Sequence, residues 1–325
     1  MSAEMADGVA TVAAVDVGGT SIKAAAVVDG RLSPIVRTPT PSGNGPAVIE
    51  ETFALIDSLV AVHGTCAAIG IVAPGLVDGG IVRRAANLGW QELDLAGVLA
   101  DRYGVPVAVE HDVRAAALAE YHHGAGVGSP RLVFLGIGTG ISAAILVDGR
   151  PLDGAAGEVG HGGSLEGDPC ACGGFGCVET YASAAGIAHR YRLRTGVPAS
   201  AIDVLEAAQG GDHAAAAIWD DAIHGVAGLL AGAVRLLGDV RVVIGGGLSL
   251  AGAALFDPLR QATAELLTVH PVPRIVASTL RDEGSLHGAA LIGRRVLEES
   301  RSRADGRGPT QSGRPCDVES RPGDD

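Results

Sequence analysis

A strand, a glycine-rich turn and a second strand are written twice into this chain, at residues 11–29 and again at 131–149. In the first copy TVAAV and IKAAAVV flank Asp16-Val17-Gly18-Gly19-Thr20-Ser21; in the second RLVFLGI runs into Gly138-Thr139-Gly140 and ISAAILV follows. Apolar runs parted by a glycine turn read as β-hairpins. Two such hairpins in opposite halves of the chain suit halves that face each other across a cleft and grip one ligand from both sides.

The remainder alternates between strands and helices, which reads as an α/β fold. A helix over 46–62 precedes the strand CAAIGIVA at 66–73, which ends at Pro74-Gly75. A strand at 105–110 delivers Glu110, His111 and Asp112 to an Ala-rich helix ending near Gly124. Residues 240–244 form a third apolar strand that runs into Gly245-Gly246-Gly247. In the helix over 213–237, Trp219, Ile223, Val226, Leu230, Val234 and Leu237 fall three or four apart and make one buried face. The 325 residues leave room for two domains, and 47% hydrophobic residues supply their cores. A boundary near residue 122 is expected, giving an N-terminal α/β domain over 1–122 and a C-terminal α/β domain over 123–284. A last helix, 285–298, is expected to pack back on the first domain. From Glu299 to Asp325 the chain is rich in Arg, Gly, Pro, Ser and Asp and reads as a disordered tail, with Cys316 a bystander in it.

A net charge of −13 argues against a nucleic-acid partner, because no basic surface is evident to offset phosphate repulsion. It leaves nucleotides open, since backbone amides hold phosphates without much positive charge. Lys23 is the single lysine, which reads as coding bias. No secretory signal opens the chain, and no apolar run approaches the ~20 residues that span a bilayer. A soluble, cytoplasmic protein is expected. Three of the five cysteines crowd together, which in a reducing compartment suggests metal and not disulfides.

The chemistry gathers in the glycine turns and the cysteine loop. Glycine lets the backbone approach a phosphate with bare N–H groups, so Gly18, Gly19 and Thr20 suit a phosphate, and Asp16 suits Mg²⁺ or its waters. The same residues also describe an ordinary hairpin tip. No glycine directly precedes Lys23 in a GK[ST] arrangement, so the turn is no Walker A loop. Gly138, Thr139 and Gly140 add a hydroxyl suited to a phosphoryl group in transfer, and Gly245, Gly246 and Gly247 suit close approach of a nucleoside. In GAAGEVGHGGSLEGDPCACGGFGCVETY, residues 154–181, His161, Cys170, Cys172 and Cys177 make a Cys₃His set. Four protein ligands leave no open position, which fits a structural zinc. Asp112, read alone, fits a helix N-cap equally well.

The DVGGTSIK turn, the AGEVGH stretch and the CACGGFGCVE loop, in this order, resemble the ROK family (repressors, open reading frames and kinases) from about residue 11 to residue 298. The resemblance implies an actin-like ATPase fold of the ribonuclease H-like kind, two α/β domains closing on ATP and sugar. It implies an ATP-dependent kinase acting on the primary hydroxyl of a hexose, glucokinase-like, and by default a homodimer. By the same resemblance Asp112 is the base that accepts the sugar proton, and Lys23 belongs to the phosphate turn. Glu158, His161, Glu179 and Asn87 look like sugar-hydroxyl ligands, and Gly75 like a nearby backbone contact. His161 would then give one ring nitrogen to zinc and the other to sugar.

The pattern departs from the family where Asn-Asp is usual and His111-Asp112 stands, and where Arg114 replaces a common asparagine. Histidine has different size and reach, so His111 is expected to read sugar hydroxyls and to alter the ranking of substrates. An N-acetylated amino sugar such as N-acetylmannosamine, or a carbocyclic mimic, is therefore a second substrate class. Polyphosphate in place of ATP stays open. A sugar-responsive repressor would carry a DNA-binding domain ahead of the first turn, where about ten residues stand.

Overall fold

The computed structural model describes residues 11–152, 157–162 and 167–305. Val12–Val17 pairs antiparallel with Ser21–Val28, matching Asp16 to Lys23 across the hairpin. On its other side Val12–Val17 pairs parallel with Ala68–Ala73, which pairs parallel with Val107–His111. Arg31–Leu32 and Val36–Pro39 add to the outer hairpin strand, giving six strands. The second sheet repeats the plan. Arg131–Ile137 pairs antiparallel with Ile141–Val147 and parallel with Arg241–Gly245, which carries Arg274–Ala277 beyond it. Arg150–Pro151 adds to the outer strand of that sheet, giving five strands, and Leu76–Asp78, Ile81–Ala85 and Trp90–Asp94 form a small three-stranded sheet.

The sequence explains why both hairpins are apolar throughout. Successive side chains of a strand point to opposite faces, so a strand covered on both faces needs apolar residues at every position. Ala13, Val15 and Val17 share a core with Val48, Ile56 and Leu59 of the helix Gly45–His63. Val12 and Ala14 face the other way, onto Leu286, Ala289 and Ala290 of the helix Gly284–Ala304. In the second sheet Val133, Leu135 and Ile137 join the core built by the helix His213–Leu237. Leu132 and Phe134 face Ala116 and Ala117 of the helix Asp112–His123. The helices Asp112–His123 and Gly284–Ala304 thus lie between the sheets.

Several helix starts are set by a side-chain cap. Asn44 accepts from the Ala47 N–H at one start, and Asp212 accepts from Ala214 and Ala215 at another. The helix His213–Leu237 is long and apolar enough to cross a bilayer, yet its Ile218, Trp219, Val226 and Leu230 lie in the core. The last helix runs to Ala304, past the Glu298 end expected for it, so the polar tail begins later than composition suggested. Arg295 and Glu299 pair at 2.9 Å one turn apart and support that extension. Cys316 and the remaining tail lie outside the described residues.

One buried carboxylate ties the sheets together. Glu120, with no exposed surface, accepts from Ser278 Oγ at 2.5 Å and from the Leu280 N–H at 2.8 Å through one oxygen. Its other oxygen accepts from the Ala125 N–H at 2.6 Å and from Thr279 Oγ1 at 3.2 Å. Such a carboxylate is tolerated because every donor facing it is used. It fixes the segment that leads into Asp282 and Ser285, both of which reach the first glycine turn.

Candidate active site

Parallel strands present their carboxyl ends together, and here those ends carry the polar residues. Val12–Val17 brings Asp16, and Val107–His111 brings Asp112 at the first position of the helix that follows. Asp16 is 5% exposed. Its Oδ2 accepts from Ser285 Oγ at 2.7 Å and lies 3.5 Å from Lys23 Nζ. Burial raises the Asp16 pKa, Ser285 and Lys23 lower it, and the nearby charge of Asp112 raises it again. The two carboxylates are therefore electrostatic neighbours. Burial likewise raises the Asp112 pKa, against hydrogen bonds from the backbone N–H groups of Val113 and of Asp112 itself. The Val113 N–H reaches Asp112 Oδ1 at 2.7 Å. The Asp112 side chain keeps 29% of its surface open.

The first turn is closed by the Gly18 N–H donating to Ser21 O at 3.0 Å, and Thr40 Oγ1 donates to Gly18 O at 2.6 Å. Gly19 and Thr20 stay exposed at its tip. A Cβ on Gly19 would stand 2.7 Å from Asn87 Nδ2, so Asn87 lies directly against the first glycine turn. Gly75 adopts φ +91 beside the carbonyl of Arg84, a place that only glycine fills without strain. The Lys23 ammonium is held by the Asp282 carbonyl and by Asp16, not left free in the turn.

The second turn is closed by the Gly138 N–H donating to Gly140 O at 2.9 Å. Glu179 Oε2 accepts from the Ile141 N–H at 2.8 Å, and a Cβ on Gly140 would meet that oxygen at 2.6 Å. Gly246 packs on the end of the strand leading to Gly138, with a would-be Cβ 2.8 Å from Ile137 N. Gly246 and Gly247 are exposed, but Gly245 is buried in its strand against Phe134. Of the third glycine run, Gly245 is therefore a packing glycine, because the sheet covers it before the loop begins.

His161 Nδ1 lies 3.5 Å from Cys170 Sγ, and Cys172 Sγ lies 3.6 Å from Cys177 Sγ. The four ligand atoms all fall within 4.8 Å of one another. A tetrahedral zinc with Zn–S bonds of ~2.3 Å sets its sulfurs roughly 3.8 Å apart, so the cluster fits that ion. For the Cys170 thiol, burial acts upward, but hydrogen bonds from the Cys172 backbone and from Thr180, Cys172 and Cys177 bring its pKa down to about 6. The other ring nitrogen of His161, Nε2, faces Glu179 Oε1 at 3.4 Å and Glu158 Oε2 at 3.6 Å. The two nitrogens are thus divided between a cysteine and the carboxylates.

His111 lies largely enclosed. It is 4% exposed, its Nε2 lies 3.4 Å from Asp112 Oδ1, and its ring packs where a Cβ on Gly157 would stand 3.4 Å from Cε1. Its Nδ1 is buried and has no hydrogen-bond partner among the described residues. Burial first, then Arg114, lowers its pKa, while Glu110 and Glu158 raise it. Arg114 is turned back to Glu110 on the preceding strand, with 2.8 Å between them.

A sequence model of the ROK family matches residues 12–296. The chain belongs to the ROK family. A glucokinase from Thermotoga maritima is 34% identical over 304 residues, spanning 86% of this chain and 95% of that one. Among solved structures, a ROK hexokinase from Thermus thermophilus is 31% identical at a TM-score of 0.79, covering 89% of this chain and 99% of its own. A ROK glucokinase from Streptomyces griseus, in complex with glucose and AMPPNP, is 28% identical at a TM-score of 0.75, covering 89% of this chain and all of its own. The duplicated sheets are the actin-like ATPase fold of this family.

Within that ROK fold, sequence reasoning missed Ser285, Asp282, Thr40 and Glu120. Ser285 is 269 positions from the Asp16 it touches, and Glu120 is 160 from Leu280. No local pattern carries such pairs.

Proposed function

We propose that this protein transfers the γ-phosphoryl group of ATP to the primary hydroxyl of a hexose, as a glucokinase-like kinase. The observation that carries this reading is Asp112, a partly open carboxylate of raised pKa set beside Asp16. Asp112 takes the hydroxyl proton as the sugar oxygen bonds to the γ-phosphorus, and the bond to the ADP oxygen breaks. The tips Gly19-Thr20 and Thr139-Gly140 offer backbone N–H groups and hydroxyls to the phosphates from two sides. Asp16 Oδ1, with no hydrogen bond among the described residues, remains for Mg²⁺ or its waters.

Asn87, Glu158, His161 and Glu179 are assigned to the sugar hydroxyls. Zinc fits the His161, Cys170, Cys172 and Cys177 set, where it would hold the loop and keep Nε2 of His161 turned to the sugar. His111 is assigned to support Asp112 and not to contact substrate. A two-domain division near residue 122, a cytoplasmic location and a homodimer complete the reading on family grounds, and sedimentation measures the last.

A coupled ADP-release assay with ATP over glucose, mannose, N-acetylmannosamine and a carbocyclic analogue tests the function, and direct detection of the sugar phosphate tests polyphosphate as donor. ADP release dependent on a hexose is expected, with Asp112→Asn lowering kcat at least ~10²-fold. No turnover with any of these acceptors overturns it.

A further inference from the structure

A cavity of about 690 Å³ lies between the outer edge of the first sheet, the end of the helix Asp112–His123 and the last helix. Its wall carries Arg31, Arg37, Arg294, His123 and His287, and one acid, Glu283. With both histidines neutral its fixed charge is three positive against one negative, a balance of +2 in a chain whose net charge is −13. The excess of acid elsewhere makes this concentration of guanidinium a local feature of one concavity. Arg31 and Arg294 have no carboxylate within ion-pair distance among the described residues, and Arg294 Nη1 lies over the Gly30 turn. Leu32, Ala290 and Leu291 give the cavity an apolar side. Unpaired guanidinium forks converging over an apolar wall suit a phosphate group, whose oxygens take paired N–H donors.

The third arginine connects this cavity to the glycine turn. Arg37 Nη2 lies 3.2 Å from Asp282 Oδ2, and the Asp282 carbonyl accepts from Lys23 Nζ at 2.5 Å. Lys23 Nζ is 3.5 Å from Asp16 Oδ2. An anion that draws Arg37 away from Asp282 therefore loosens the residue that holds Lys23, and with it the environment of Asp16.

We propose that this cavity binds a small phosphate-bearing anion through Arg31, Arg294 and Arg37, and that its occupancy reaches the phosphate turn through Asp282 and Lys23. The binding half stands without the kinase reading; the coupling half rests on it. The test is calorimetry on the full chain, with and without AMPPNP, against inorganic phosphate, pyrophosphate and glycerol phosphate at matched ionic strength. Saturable binding that survives AMPPNP is expected, and Arg31→Ala/Arg294→Ala should weaken it at least tenfold. Both side chains are exposed, so the fold should hold. Tighter binding of glycerol phosphate identifies a phosphate ester as the ligand, and tighter binding of the inorganic probes identifies free phosphate. In the kinase assay the bound anion should shift KM for ATP at least twofold in the wild type and not in the double variant. Equal affinity in both proteins, or equal displacement by chloride, overturns the site. Binding that leaves KM unmoved overturns the coupling alone.

Discussion

Burial lifts the Asp112 carboxyl above its ordinary value, so the ionised form proposed to act as base is also a form the fold disfavours. The sign follows directly. A folded-state pKa above the unfolded one means the native protein binds the proton more tightly, so ionisation costs stability above that pKa, and the cost vanishes as pH falls through it. Asp112→Asn should therefore melt no lower than the wild type at pH 7, in calorimetry, while losing turnover. A clear drop in Tm would show that the carboxylate holds the fold. The same shift places the acid limb of kcat/KM above the ~4 of a free carboxylate, because activity falls as Asp112 takes up its proton. A limb at the ordinary position would remove Asp112 as the base. His111 gives a second test. Enclosed by Asp112 and Gly157, it should affect every sugar alike, so His111→Asn should lower kcat for glucose, mannose and N-acetylmannosamine by similar factors. A changed ranking would return it to the sugar pocket.

Among the elements, the hairpins and the cysteine loop were legible because their signals are local. Strand, glycine and strand follow one another directly, and three cysteines fall within eight residues of sequence, Cys170 to Cys177. The direction of His161 was legible only through the resemblance, since spacing does not say which nitrogen faces which neighbour. Cys172→Ser should lose the metal, read by elemental analysis, and raise KM for the sugar because His161 is no longer turned toward Glu158 and Glu179. Metal-free protein with an unchanged KM would detach the loop from the sugar. The third glycine run misled at Gly245 because its sequence does not mark where the sheet ends. The last helix misled in length, since polar composition in a surface helix resembles that of a tail.

Across the whole molecule, both sheets meet two helices that approach unusually closely. A Cβ on Gly293 would stand 2.8 Å from Gly70 N, and one on Gly288 would stand 2.6 Å from the Ala115 Cβ. Helix propensity alone favours Ala over Gly by about 1 kcal/mol. Overpacking between rigid elements typically costs about 1–3 kcal/mol and outweighs it. Gly288→Ala should therefore lower the urea midpoint, and an unchanged or higher midpoint would show that the helices can part without cost. This contact was invisible in the sequence, where Gly70, Gly288 and Gly293 look like ordinary glycines in a strand and a helix. Lys23 has a different kind of consequence. It is the single ε-amine in the chain, it is 13% exposed, and it sits where Asp16 and Asp282 meet. Its rate of acylation by an amine-reactive reagent, followed by peptide mass spectrometry, is then a built-in clock for how often that junction opens, with no label introduced and no competing lysine to subtract.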